Sequence, residues 1–212
     1  MQPKEMIMDF ATKDLTHGQT NALVKNLMGQ MGVSDPVEAI RRINSGEWVV
    51  TKAELPAFST WKQVTVGNLG NAETARKQLE AAGIKIGDWG NDILGRATFE
   101  ETKMSLDLVR VSVKELGLET SATTAEIYAA AQRHGLSLCP AEVAPQLWLQ
   151  YPDLLPRGEW SLVAMEAIVD SGGNRDVFHL VHIVDGRWLV ANLGHPDYRW
   201  NAYDRRWVFV RS

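Results

Sequence analysis

The stretch Val64-Thr-Val-Gly-Asn-Leu-Gly70 is followed by a helical pattern and then by Ile84-Lys-Ile86. The same order recurs about fifty residues later, where Val111-Ser-Val-Lys-Glu-Leu-Gly117 precedes another helical pattern and Leu136-Ser-Leu138. Each copy predicts a strand, a turn, a helix, a glycine stop, a short strand and a second helix. The order fits an internal duplication. It also fits two unrelated segments with common turn residues, because the two helices share few identities.

The C-terminal part of the chain changes to a strand pattern. Ser161–Val169 is mostly apolar, and Val177–Val184 is followed by Asp185-Gly186, a dipeptide typical of tight hairpins, and by Arg187–Asn192. Both sides of Val177–Val184 are largely apolar, which predicts a central strand covered on both faces. We therefore expect an α+β fold in which the two strand-helix-strand-helix units join a mostly antiparallel C-terminal sheet.

The N-terminal part indicates a helical hairpin. Residues 23–31 place leucine or methionine at every fourth position, which defines one face of a helix. Asp35-Pro36-Val-Glu38 begins a second helix, with Asp35 as the N-cap and proline at the first helical position. A segment containing Pro56 follows as a linker. The expected division is an appended hairpin over residues 1–55 and a main α+β domain over residues 56–212.

Composition places the chain among ordinary globular proteins, with 212 residues, 45% apolar and 23% charged. A net charge of −4 argues against a protein that binds nucleic acid or a membrane mainly through electrostatic attraction. The single cysteine, Cys139, excludes an internal disulfide framework and a cysteine-rich metal site. No segment approaches the roughly 18–20 apolar residues of a membrane span, and no signal-peptide pattern opens the chain. We therefore expect a cytoplasmic protein.

Three segments carry a resemblance. Gly83-Ile-Lys-Ile-Gly-Asp-Trp-Gly-Asn-Asp-Ile-Leu94, Gly135-Leu-Ser-Leu-Cys-Pro-Ala-Glu-Val-Ala-Pro-Gln-Leu147 and Arg206-Trp-Val-Phe-Val210 resemble strings of a family of uncharacterised bacterial proteins. The resemblance covers residues 60–212 and implies a recurrent bacterial, intracellular domain. It carries no activity, ligand or catalytic residue.

Cys139 is the sole candidate nucleophile in the sequence. It precedes Pro140 at an expected helix N-terminus, where the helix dipole favours a thiolate, and His134, His179 or His182 could assist it. The alternative is a small buried side chain, the usual role of a free cysteine. The corresponding position of the first unit is Gly87, which favours the buried role. We therefore lean toward a protein without catalytic activity.

Metal and cofactor signatures are absent from the sequence. His179 and His182 are three apart on a predicted strand, so they point to opposite faces and cannot share one ion. Glu126 and Glu142 fit helix starts, and no motif pairs either with a second carboxylate. The turn at residues 67–70 lacks the lysine and hydroxyl residue of a phosphate loop. We expect neither a metal nor a cofactor.

Aromatic and basic residues concentrate near the C-terminus. The predicted binding surface is the irregular segment after the hairpin, with the residues Tyr198, Arg199, Trp200, Tyr203 and Arg205. Trp200 is expected to be more exposed than Trp188 and Trp207, since no alternating pattern surrounds it.

Two kinds of partner suit such a surface. A protein partner could bind to the aromatic side chains, and a single-stranded nucleic acid could stack on them while arginines hold its phosphates. Asp197 and Asp204 reduce the positive charge, which favours the protein partner. The alternative is structural, with Trp188 and Trp207 in the core and the arginines in solvent.

Overall fold

The computed structural model of the chain describes residues 17–48, 58–202 and 206–211. The chain falls into two compact units, residues 1–54 and 55–212. This division lies one residue from the expected one. That the second unit folds without the first stays a prediction.

The first unit contains helix α1 (His17–Met31) and helix α2 (Pro36–Asn44). Asp35 is the N-cap of α2, and its Oδ1 accepts a hydrogen bond of 2.9 Å from the backbone N–H of Val37. Between the helices, Gly32 has a φ of 63°, a left-handed conformation that favours glycine.

The second unit is built from four described helices and eleven described strands. The helices are α3 (Ala72–Ala81), α4 (Asp88–Arg96), α5 (Thr124–Arg133) and α6 (Val143–Gln150). The strands are β1 (Lys62–Val66), β2 (Lys85–Ile86), β3 (Met104–Ser112), β4 (Ala122–Thr123), β5 (Leu136–Ser137), β6 (Trp160–Val163), β7 (Ile168–Val169), β8 (Arg175–Ile183), β9 (Gly186–Leu193), β10 (Arg199–Trp200) and β11 (Arg206–Arg211).

One large sheet organises this unit. Its order is β1-β3-β11-β6-β8-β9-β2, with β5 also paired to β11 and β7 to β8. The pairs β11–β6 and β2–β9 are parallel, and the other pairs of this sheet are antiparallel. The expected α+β class with a mostly antiparallel C-terminal sheet is therefore confirmed.

The two repeat-like segments share their order of elements but not their sheet settings. Each runs strand, helix, short strand, helix, as β1-α3-β2-α4 and as β3-α5-β5-α6, with the two-residue β4 preceding α5 in the second. The short strand β2 is parallel to β9, whereas β5 is antiparallel to β11. The duplication stays a prediction.

Local boundaries differ from expectation at two places. Residues 161–169 form two short strands instead of one, because the backbone O of Ala164 accepts a hydrogen bond from Cys139 N at 2.7 Å. The β8–β9 turn is Val184-Asp185, one residue earlier than predicted, since Ile183 pairs with Gly186.

Residues from the C-terminal end of α6 cover the outer edge of β1. Gln150 accepts a hydrogen bond from Thr65 N at 3.0 Å and donates one to Thr65 O at 2.7 Å. The hydroxyl of Tyr151 donates to Gln63 O at 2.5 Å. The backbone groups that this edge strand directs away from β3 are thus bonded to side chains, which blocks pairing with another strand.

The carboxylate of Glu142 is fully buried and holds the turn between β1 and α3. Its Oε1 accepts from the backbone N–H groups of residues 67–69 at 2.9, 3.3 and 3.4 Å, and its Oε2 from Glu100 N at 3.0 Å. Gln146 Nε2 donates to the same carboxylate at 3.0 Å. The N–H groups that a phosphate would need at this turn are therefore bound to a side chain of the protein itself.

Candidate binding surface

The two faces of strand β8 differ in burial at its central residues. Phe178 and Leu180 are 0% exposed, whereas His179 and Val181, which alternate with them, are half-buried. Helices α4 and α6 contact β8, and the burial pattern places them on the face of Phe178 and Leu180. The expectation that both faces of this strand are covered is therefore wrong for its central residues.

The half-buried face continues onto the neighbouring strands. Cross-strand pairing aligns Trp160, Val181, Trp188 and Lys85 in one row. We call the half-buried side chains of this side the open sheet face; they are Trp160, His179, Val181, Trp188, Val190 and Asn192. Because adjacent strands lie about 4.8 Å apart, the two tryptophans are separated by roughly 10 Å across the sheet.

Contacts within the sheet hold both indole rings. His179 packs edge-on against Trp160, with ring centroids 5.0 Å apart and planes at 86°. Trp188 Nε1 donates to Asp185 Oδ1 at 3.0 Å, and Lys85 Nζ lies 5.1 Å from the Trp188 ring centroid. The hydrogen bond from Trp188, and then that from Lys85, lowers the pKa of Asp185. Trp188 is therefore held in place before any partner binds.

A groove adjoins the open sheet face at Trp188. It has a volume of about 630 Å³ and is lined by residues 83–86, by Arg76 and Glu80 of α3, by Asp88 and Asn91 of α4, and by Trp188. The guanidinium of Arg76 is fixed by Asn91, with Nε donating to Oδ1 at 2.5 Å and Nη2 to the backbone O at 3.2 Å. Strand β2 thus forms one wall of the groove.

The predicted C-terminal surface is not assembled as expected. Trp200 is 2% exposed, donates from Nε1 to Thr124 Oγ1 at 2.8 Å, and packs edge-on against Trp207 at 5.2 Å. The expectation of an exposed Trp200 is wrong, because β10 pairs with β4 and places Trp200 opposite Ala122.

The other four predicted surface residues have different settings. Tyr198 is 39% exposed, and its ring lies 4.8 Å from that of Trp200. Arg199 is exposed and donates from Nη1 to Ser121 O at 3.1 Å. Tyr203 and Arg205 lie outside the described residues, so their part in the predicted surface stays a prediction.

Cys139 is buried and is not at a helix start. Its Sγ donates to Val208 O at 3.4 Å, and burial raises the pKa of the thiol far above its ordinary value. Helix α6 begins at Val143, so the predicted start at Cys139 is wrong. Both facts disfavour a thiolate.

We expect native Cys139 to react with a thiol reagent such as dithionitrobenzoate roughly 100-fold or more slowly than in the unfolded chain. The reason is that the thiol must become exposed through an opening of the core before it can react. The measurement is the absorbance change at neutral pH, with the guanidinium-unfolded chain as control. Equal rates in the two states would show an accessible thiol and contradict the burial.

Three carboxylates, those of Asp92, Asp170 and Asp176, lie near the N-terminal end of β8. Asp170 accepts hydrogen bonds from Asn174 at 2.8 and 3.0 Å, and Asp92 from Ser171 N at 2.5 Å. Asp176 is 6% exposed, and no described residue donates a hydrogen bond to its carboxylate. Burial, and then the charges of Asp170 and Asp92, raise the pKa of Asp176.

Replacing Asp176 by asparagine is expected to stabilise the protein at pH 7 by about 1 kcal/mol, or roughly 2–4 °C in Tm. The folded-state pKa of Asp176 is raised, so its ionisation opposes folding above the unfolded-state pKa of about 3.9. The gain should therefore shrink as the pH falls from the raised folded-state pKa of Asp176 toward about 3.9, and it should be absent below that value. Thermal melts between pH 3 and 7 measure it.

Asp170→Asn is the matched control for this prediction. Its hydrogen bonds with Asn174 lower the pKa of Asp170, so its neutralisation is expected to lower Tm at pH 7. A lower Tm for Asp176→Asn at neutral pH would show that this carboxylate has a stabilising partner.

In the part of the chain that the structure describes, neither a cluster of metal ligands nor a helix able to span a membrane is found. No group of three histidine, cysteine, aspartate or glutamate side chains there is arranged to hold a metal ion. His179 and His182 lie on opposite faces of β8, and His182 Nδ1 is 2.7 Å from Leu155 O. No helix among these residues has the length and apolar character to cross a membrane.

Comparisons with protein-family models, with curated proteins and with solved structures find nothing that matches this chain. The resemblance to a family of uncharacterised bacterial proteins therefore stays a prediction.

Proposed function

We propose that this protein is a non-catalytic binding protein and that the open sheet face, with the groove beside it, contacts another protein. One observation carries the proposal: β8 and β9 bury Phe178, Leu180 and Leu189 on one side of the sheet, whereas Trp160 of β6 and Trp188 of β9 are half-buried on the other side. Tryptophan is enriched among the residues that dominate binding energy at protein interfaces.

The rigidity of this surface supports the proposal. Trp188 is held by Asp185 and by Lys85, and Trp160 by the edge of His179. A side chain that is ordered before association loses little conformational entropy on binding, which leaves more of the contact energy as affinity.

The charges near the surface favour a protein over a nucleic acid. Lys85 Nζ is already 3.2 Å from Asp185 Oδ2, and Glu80 and Asp88 line the adjoining groove. Phosphates need unpaired cations, whereas a protein partner can match mixed charges. The net charge of −4 acts in the same direction.

The setting of Cys139 supports a role without catalysis. This thiol, the candidate nucleophile of the sequence, is 5% exposed and bonded to Val208 O. A buried thiol with a raised pKa cannot attack a substrate at neutral pH. A single cysteine in reduced form also fits a cytoplasmic location, which is part of the proposal.

Site-specific photocrosslinking in the native host tests the proposal. A benzophenone amino acid is placed at Ile183, which is 44% exposed and lies on the same side of β8 as Val181. The control position is Lys77 of α3, whose side chain is 72% exposed. We expect one discrete crosslinked protein at Ile183, no such product at Lys77, and loss of the product in Trp188→Ala.

Two outcomes would reject the proposal. A product that disappears when the lysate is treated with nuclease before illumination would assign the face to nucleic acid. The same products at Ile183 and Lys77 would mean that the open sheet face is not a specific surface. Trp89→Ala is the matched control for Trp188→Ala, because Trp89 is 54% exposed and lies outside the open sheet face.

A further inference from the structure

Strand β2 is the last strand at its end of the sheet. The order runs from β1 to β2, and no described strand lies beyond Lys85–Ile86. A terminal strand has one edge of backbone N–H and C=O groups that can pair with another chain. Both residues of β2, Lys85 and Ile86, also line the groove.

The register shows which backbone groups are available. Ile86 pairs with Leu189, and Gly87 N donates to Leu189 O at 3.0 Å. In a parallel ladder, successive residues direct their backbone groups to opposite edges. The N–H and C=O groups of Ile86, a residue that lines the groove, therefore point away from β9.

The two ends of the sheet are treated differently. At β1, Gln150 bonds to both backbone groups of Thr65, and Tyr151 bonds to Gln63 O. At β2, the charged side chain that could shield the edge is that of Lys85, but it lies over the Trp188 ring and is bonded to Asp185. The protein thus blocks the β1 edge with side chains, whereas at the β2 edge no described side chain bonds to the outward backbone groups of Ile86.

The charges in the groove indicate the composition of its occupant. Lys85 is paired with Asp185, whereas Arg76 is bonded to the neutral Asn91 and keeps its positive charge, so the groove has one cation against two carboxylates without an ion-pair partner. Among the described residues, the carboxylates of Glu80 and Asp88 form no salt bridge. A cation from the occupant would complement these two carboxylates.

We propose that the groove binds an extended, basic peptide segment of the partner protein as an added strand on β2. The segment pairs with the backbone of Ile86 and places a lysine or arginine beside Glu80 and Asp88. Backbone pairing supplies affinity, while Trp188 and the carboxylates supply selectivity, as in other cases of strand addition. The inference rests on the proposed function and specifies how that partner binds.

A phage-displayed library of random decapeptides, panned against the full chain, supplies the probe. We expect enriched peptides to carry lysine or arginine. A synthetic copy should slow the hydrogen exchange of the Ile86 amide by at least about tenfold, while the Thr65 amide, already bonded to Gln150, stays unchanged. Glu80→Gln should weaken binding of the synthetic peptide by roughly tenfold. Glu73→Gln is the matched control on α3, because Glu73 is paired with Lys77 at 2.6 Å.

Two results would overturn the inference. Peptides that bind while the Ile86 amide exchanges at its free rate use another mode, and panning that enriches no peptide shows that the groove does not take one. Either result leaves the proposed function standing if Ile183 still crosslinks one protein. Loss of that specific product rejects the proposed function, so the two failures are distinguishable.

Discussion

Glu142→Ala is expected to lower the free energy of unfolding by about 3–5 kcal/mol, because removal of the carboxylate leaves several buried donors without an acceptor. Those donors are the backbone N–H groups of residues 67–69, that of Glu100 and the amide of Gln146. These donors lie in three parts of the domain, so the loss loosens the turn before α3, the segment before β3 and the first turn of α6 together.

Guanidinium denaturation followed by tryptophan fluorescence measures this effect. Glu142→Gln should lose less, since one carbonyl oxygen still accepts hydrogen bonds. The matched control is Glu126→Ala, which removes a helix cap whose carboxylate accepts from Thr123 N at 2.7 Å and costs about 1 kcal/mol. A Glu142→Ala protein as stable as the Glu126→Ala control would show that water replaces the carboxylate.

Trp200→Ala is expected to lower the free energy of unfolding by about 3–5 kcal/mol through the cavity that it opens. Trp200 is 2% exposed and packs against Trp207, which is 0% exposed and itself contacts Tyr128 edge-on at 5.7 Å. The substitution also leaves the hydroxyl of Thr124 without its indole donor. This expectation reverses the one from sequence, in which Trp200 was an exposed binding residue.

The same denaturation experiment decides between the two expectations for Trp200. Trp89→Ala is the control, and a 54% exposed indole should contribute less than about 1 kcal/mol. Trp207→Ala should match Trp200→Ala, because the two rings pack against each other. If the Trp200→Ala protein unfolds at the same guanidinium concentration as the Trp89→Ala control, the structural expectation is wrong and the predicted exposed surface at residues 198–205 stands.

Elements with local signals could be predicted from the sequence. Asn71 caps α3 through Thr74 N at 2.9 Å, and Glu126, which fits a helix start in the sequence, forms a capping box with Thr123 at the start of α5. These signals lie within four residues of one another, so no knowledge of the fold is needed to find them. The sequence predicts strand β9 from signals of the same local kind, a turn and its flanking apolar residues.

The position of Trp200 could not be predicted because it depends on a long-range pairing. Strands β4 and β10 have two residues each and lie more than seventy residues apart in sequence. Two residues show no alternation, so neither strand has a pattern of its own. The interruption after β6 has a similar origin, since Ala164 is held by Cys139 and by Val208.

The open sheet face was missed because its side chains are mainly apolar. His179, Val181 and Val190 fit a covered face as well as a half-buried one, and only the placement of the helices decides between them. The usable signal was Trp160, Trp188 and His179 together, since side chains with an apolar body and a polar tip suit a partly exposed position.

The unequal edges of the sheet limit how copies of this chain can associate. Growth of a fibre by stacking sheets end to end requires two open edges on every copy, one to donate and one to accept. Here the bonds from Gln150 and Tyr151 close the β1 end. A copy that added a strand at β2 would therefore leave no open edge at β1 for the next copy. Two copies that met through β2 would form a closed pair.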